Sequence, residues 1–286
     1  MPYDYERIKL MRLEAFGMVY AGRDRVSGKP VLMKIVHKKD GSIPQSIVGN
    51  ISLLKQLQHR NLARLLNVVT ELTCHILIFE HFPMDLGQYM RSLPPGEMLD
   101  PVQVKVYLHQ ITDAVLFCHN RQVLHRNLMP ANLLIDAQGT IKVTDFDLPS
   151  SNWTEELGLL WYRAPEVLLG STSCSGAADI WSIGCIFAEL ATRMPLFPGA
   201  TPAEQLCCIF TILVTPTKEN CPDFTDLLPH YQLTVPCSIQ NKLASQVPNL
   251  GAAGIDLLKR CLEYNPTLRI SAKQILEHEY FGPEAR

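Results

Sequence analysis

The chain turns from mostly strand-like to mostly helical patterning near Glu80 to Asp85, and that change limits the fold more than any other feature. Before it, short apolar runs alternate with turns. Met18 to Ala21 and Val31 to Val36 read as strands around the turn Arg25 to Pro30, and His75 to Phe79 reads as another. Between them a helix is expected from about Gln45 to Leu57, with Ile47, Ile51 and Leu54 on one face. Gly49 inside it costs about 1 kcal/mol relative to alanine. After the change the pattern is helical. Asp100 suits an N-cap, Pro101 the first helical position, and Gln103 is placed to reach back. Val104, Tyr107, Leu108, Ile111, Val115 and Cys118 then follow helical spacing. Ala177 to Thr192 is apolar on nearly every face, the mark of a helix inside a lobe. Proline-rich connections follow at Met194 to Pro202 and Thr215 to Pro236, and the last helices are expected at about Gly254 to Tyr264 and Ala272 to Glu279. The expectation is an α+β chain with a small strand-rich N-terminal part and a larger helical C-terminal part.

Composition narrows the function classes. Hydrophobic residues make up 47% of the 286 and charged residues 19%, so the chain can bury a substantial core. A net charge of −2 gives no general attraction to nucleic acid. The longest apolar run, Cys207 to Val214, is 8 residues and reads as buried helix, far short of the roughly 20 that span a membrane. The N-terminal MPYDYERIKL carries charges and no apolar h-region, so it does not read as a signal peptide. Nine cysteines, mostly within apolar stretches and without a C-x-x-C pair, read as reduced thiols of an intracellular protein, cytoplasmic or nuclear.

Four short motifs occur in order: Val31-Leu32-Met33-Lys34; His125-Arg126-Asn127-Leu128-Met129-Pro130-Ala131-Asn132; Asp145-Phe146-Asp147; and Ala164-Pro165-Glu166. Their order and spacing resemble the protein-kinase signature. Four segments make the resemblance closest to the cyclin-dependent kinases: Pro44 to Ile47, Leu160 to Glu166, Asp179 to Glu189, and Leu196-Phe197-Pro198-Gly199. The likeness covers roughly Tyr5 to Phe281. It implies a bilobal fold, one kinase domain over 1–286, with an N-lobe to about residue 80, a hinge over about 80–85 and a C-lobe over about 86–286.

The resemblance also implies a site. A nucleotide, ATP, would be held by Met11, Val19, Lys34, Glu80, Phe82, Asp85 and Leu134, with Lys34 on its phosphates. Asn132 and Asp145 match the two Mg²⁺ positions, and both offer oxygen donors. His125 and Phe146 match packing positions. Asp179 should hold the loop around His125 and Arg126, and Glu166 and Arg269 match an ion pair within the larger lobe.

The departures from the family pattern concentrate on the chemistry. Asn127 stands where the family has the aspartate that accepts the substrate proton, a change that costs about 10²–10⁴ in rate for a general base. Met129 replaces the lysine that steadies the transferred phosphate, and Leu159 the supporting threonine. These losses act within one unit and do not add. Asn50 replaces the glutamate that partners Lys34. The phosphate-covering loop reads Arg12, Glu14 and Gly17 where three glycines are the pattern, and Ala15-Phe16 replace a phosphorylatable Thr-Tyr pair. Leu32 replaces a small alanine that packs on adenine and narrows the pocket. From Asp145 to Glu166 is 22 residues, short for the family; the missing stretch is where the resemblance places the activating phosphothreonine, and Thr154 is the only threonine left in the segment. Of three phosphate-receiving arginines Arg126 remains, while Gly49 and Ser150 fill the other places, and Asp147 replaces a glycine.

Three readings follow. One is a pseudokinase that works by binding, through the Ile43 to Leu57 region, where the family docks a cyclin or another regulatory protein, and the groove around Arg163. Val48-Gly49-Asn50 departs from the charged helix end that cyclin docking uses. The second is an active ATP-dependent serine/threonine kinase. The third is a competitor that occupies a cyclin or substrate without nucleotide. Nucleotide binding stays open: Lys34, Asn132 and Asp145 point one way, and Arg12, Glu14 and Leu32 the other.

Overall fold

The structure is a computed structural model that describes residues 4–14, 17–37, 51, 54–145, 160–171, 175–217 and 240–282. Five strands form the N-terminal sheet: β1 (Tyr5–Glu14), β2 (Gly17–Asp24), β3 (Pro30–His37), β4 (Leu65–Thr70) and β5 (Cys74–Glu80). They pair antiparallel in the order β1-β2-β3-β5-β4. β3 and β5 are central, and their sequences are dominated by β-branched and long apolar residues suited to strands covered on both faces. The β2–β3 turn is closed by Asp24, whose carboxylate accepts from Val26 N at 2.9 Å and Ser27 Oγ at 2.7 Å, with Gly28 in the left-handed region at φ 69°.

Side-chain alternation gives this sheet two apolar faces. Val31, Met33, Ile35, Cys74, Ile76 and Ile78 form the outer cluster. Val36, Leu77 and Phe79 face the other way and join Ala63, Phe82 and Leu134. Ile51 and Leu54, within the described part (51 and 54–57) of the helix expected over about 45–57, pack on this second cluster.

The chain then passes through β6 (Met84–Asp85) into α1 (Leu86–Ser92) and α2 (Pro101–His119). Asp85 closes a capping box with Gln88: its carboxylate accepts from Gln88 N at 2.7 Å, and Gln88 Oε1 accepts from Asp85 N at 3.3 Å. Asp100 caps α2 through Val102 N at 2.7 Å, a bond of the class that stabilises a helix by about 1 kcal/mol. The expected reach of Gln103 back to the cap is not among the hydrogen bonds of the described residues. β7 (Leu133–Ile135) and β8 (Ile141–Val143) complete a small sheet in the order β6-β7-β8. Next come α3 (Pro165–Leu168), α4 (Ala177–Thr192), α5 (Pro202–Ile212), α6 (Leu243–Gln246), α7 (Ala252–Cys261) and α8 (Ala272–Leu276). α4 has the bounds expected from sequence and is buried from Asp179 to Ala191, with Trp181 and Phe187 fully enclosed. Around it lies the main core. The result is a β-sheet N-terminal lobe on a helical C-terminal lobe. No helix among the described residues is long and apolar enough to cross a membrane.

Candidate functional site

The centre of the molecule is a loop, 124–132, held from below by α4. Asp179 enters from the first turn of α4 and is almost fully buried. One carboxylate oxygen accepts from Arg126 N at 2.7 Å. The other accepts from His125 N at 2.9 Å and lies 2.8 Å from His119 Nε2. Burial alone would raise this carboxyl, but the His119 hydrogen bond and the neighbouring His125 outweigh it and hold the group below its ordinary value. The hold is needed because Arg126 sits in the left-handed region at φ 62°. His125 is buried and ties the loop to β8. Its Nε2 donates to Thr144 O at 2.7 Å, and its Nδ1 accepts from Asn127 N at 3.2 Å, so the proton is on Nε2.

Asn127 is thus fixed through its backbone: its N donates to His125, and its carbonyl accepts from Asn132 Nδ2 at 2.9 Å. With the Asn132 amide nitrogen spent on that bond, its Oδ1 is the atom left to meet a cation. Thr144 N, donating to Asn132 O at 3.0 Å, sets Asn132 beside Asp145. Met129 packs its side chain on the main core, so the position expected to carry a lysine is apolar in environment as well as in identity.

Asp145 is in the left-handed region at φ 62°. Its Oδ1 lies 2.7 Å from Lys34 Nζ, and both side chains are nearly enclosed, at 11% and 7% exposure. Lys34 comes from β3, where it shares with Leu32 and Val36 the face turned toward the C-terminal lobe. A cleft of about 100 Å³ runs from this ion pair to the hinge. Met11, Val19, Lys34, Phe82, Asp85 and Leu134, all expected from sequence, line it. Glu80 does not. Its carboxylate turns outward, accepting from Arg64 N at 3.1 Å and lying 3.8 Å from Lys142 Nζ. Leu32, Phe79, Pro83, Met84, Gln88 and Thr144 complete the lining. Sequence reasoning singled out Leu32 but assigned no role to Phe79, Met84 or Gln88. The signal for Gln88 was its place three residues after Asp85; Phe79 is defined by cross-strand register with Leu32, which no sequence pattern displays.

A small, partly open space lies on the other side of Asn127, between the loop and the segment 160–164. There Arg163 is buried, and its Nη1 donates to Arg126 O at 3.3 Å. Loss of hydration lowers its guanidinium to about 10. Tyr162 donates to Glu189 Oε2, and burial raises both groups above their ordinary values. Farther down, Arg269 meets Glu166 with two bonds of 2.7 and 3.1 Å, and it also donates to Ala177 O and Glu263 O. This is the ion pair expected from sequence, in the fork geometry that arginine favours.

Gly17 has a reason of its own to be glycine. A Cβ there would sit 1.7 Å from Ile35 O of β3. Close strand approach therefore requires it, independently of any phosphate. Ala15, Phe16, Gly49, Asn50, Phe146, Asp147, Ser150, Thr154 and Leu159 lie outside the described residues, as do the side chains of Arg12 and Glu14 and most of 43–57.

The donor set at the polar end, one carboxylate and one amide oxygen, fits Mg²⁺. The cleft as a whole, at about 100 Å³, is small beside the roughly 300–1,000 Å³ of sites that enclose small molecules. A family model of the protein kinase domain matches residues 9–281. With two lobes, a loop braced from α4 and a β3 lysine on Asp145, the chain belongs to the protein kinase domain family.

Proposed function

We propose that this chain is a pseudokinase of the cyclin-dependent type, one domain that acts by binding other proteins. The observation that carries the reading is Asn127: a neutral amide stands at the base position of a loop whose scaffold is otherwise complete. An amide is no base near neutral pH, so the arrangement can orient a hydroxyl but cannot accept its proton. Met129, partly buried against the core, removes the second charge of the same step. Meanwhile the Asp179 brace and the Glu166–Arg269 pair keep the fold of the lobe tied together while the chemistry is lost, which a binding role would favour. The surfaces proposed are the Ile43 to Leu57 region, for a cyclin or another regulatory protein, and the groove around Arg163, where a substrate segment would be held without turnover.

The competing reading is an ATP-dependent serine/threonine kinase, and Lys34 seated on Asp145 beside Asn132 favours it. A radiolabelled-phosphate transfer assay with the purified chain, beside Lys34→Met and Asp145→Asn, separates the two. Signal at the level of both controls is expected. Signal above both overturns the pseudokinase reading. For the binding surface, capture of partners should be lost when residues between Ile43 and Leu57 are changed, and unchanged capture counts against that surface.

A further inference from the structure

The cleft that other chemistry would need is filled at both ends by the protein's own side chains. At the polar end the Lys34–Asp145 pair, 2.7 Å apart, is nearly enclosed. At the apolar end Leu32 of β3 stands in direct antiparallel register with Phe79 of β5, and both line the cleft. Period-two alternation puts Leu32 on the same sheet face as Lys34, so its branched side chain projects into the space between the lobes. Leu32 packs on the cluster formed by Phe79 and Leu77 from the sheet, Phe82 from the hinge and Leu134 from β7. That cluster spans the two lobes. Phe79, Phe82 and Leu134 are each at most 8% exposed, so little of their surface is open to the cleft they line. What remains is about 100 Å³, too little for a flat bicyclic base to enter without displacing a side chain.

We propose that Leu32 closes this cleft to purine nucleosides and nucleotides, so that the native chain binds partners with its cleft self-filled. The inference deepens the pseudokinase reading and rests on it only for the statement that binding, not turnover, is the function. Of the lining residues, Leu32 is the one whose truncation opens space beside the cluster without cutting the main core or the ion pair. Phe79, Phe82 and Leu134 are members of the buried cluster itself, whereas Leu32 is a partly buried residue packed on it.

The test is a titration of the full-length chain with adenosine and with ATP, each in Mg²⁺ and in EDTA, read by calorimetry and by the shift in Tm. The native chain should show no saturable heat and no rise in Tm up to about 1 mM ligand. Leu32→Ala should bind both ligands at least tenfold more tightly and show a ligand-dependent rise in Tm. Leu32→Val, which removes one methylene and puts little at risk, should fall between them and decides the matter if the alanine variant does not fold. Binding by the native chain equal to that of the variants overturns the proposal, as does a complete absence of binding by the folded variants. A native chain that binds ATP yet transfers no phosphate overturns this inference alone, while the transfer assay by itself judges the pseudokinase reading.

Discussion

At the residue scale two side chains divide the central loop between scaffold and chemistry. Asp179 supports three donors from one buried carboxylate, so its removal strands two backbone N–H groups and one imidazole. Asp179→Asn should cost about 2–4 kcal/mol in denaturant unfolding near neutral pH, because charged, buried hydrogen bonds are expensive to leave unmade. Its pH dependence has a defined sign. The carboxyl is held below its unfolded value, so its contribution is present above that value and lost as pH falls through the folded one. The gap between native and Asp179→Asn should therefore narrow below about pH 4, and a constant gap would contradict the assignment. Asn127 belongs to the chemistry. Asn127→Asp returns a carboxylate to a loop that is already in place, yet an apolar Met129, partly buried against the core, still stands where a cation is needed. Residues acting as one unit do not restore function singly. The expected result in the transfer assay is a signal no higher than that of Lys34→Met, and a clear gain would show that Asn127 alone silences the site.

At the element scale the same pair of strands explains both what the sequence displayed and what it concealed. Runs buried on both faces, such as β3, β5 and α4, were legible because every position is apolar or packed, and α4 has the bounds read from its composition. The edge strand β1 escaped notice. It is mostly exposed and carries two register shifts, so its apolar residues do not alternate cleanly. β4, the other edge, is likewise half exposed and was missed for the same reason. Site residues that a motif names, Lys34, Asn132 and Asp145, were legible from spacing. Phe79 was not, since its role arises from pairing with Leu32 across a crossover that spacing does not encode. Gly17 was read as the remnant of a phosphate loop, and the strands give it another cause. With a Cβ 1.7 Å from Ile35 O, Gly17→Ala must push β2 from β3. The expected cost is about 1–3 kcal/mol of stability in chemical denaturation, as for overpacked interiors. An alanine variant as stable as the native chain would return Gly17 to the phosphate reading.

At the scale of the whole molecule the two lobes are joined by more than the hinge. The segment 61–63 pairs with β8: Ala63 N donates to Val143 O at 2.9 Å, Val143 N to Asn61 O at 2.8 Å, and Asn61 Nδ2 to Ile141 O at 2.9 Å. Alongside runs the apolar cluster in which Leu134 is the C-terminal lobe's contribution to a sheet-side group. Relative motion of the lobes would break both contacts at once. A protein that must open and close on a nucleotide gains from a weak apolar bridge; one that presents a fixed surface gains from a strong one. Leu134→Ala separates these cases. Deleting a buried leucine costs about 2–5 kcal/mol, and here the loss falls on the coupling between lobes. In native-state hydrogen exchange the amides of β3 and β5 should then exchange faster in the variant by a larger factor than those of α4, because the sheet gains an opening that the main core does not share. Equal acceleration in β3, β5 and α4 would mean that Leu134 stabilises the molecule as a single unit, and the cluster would be ordinary core instead of the clasp between lobes.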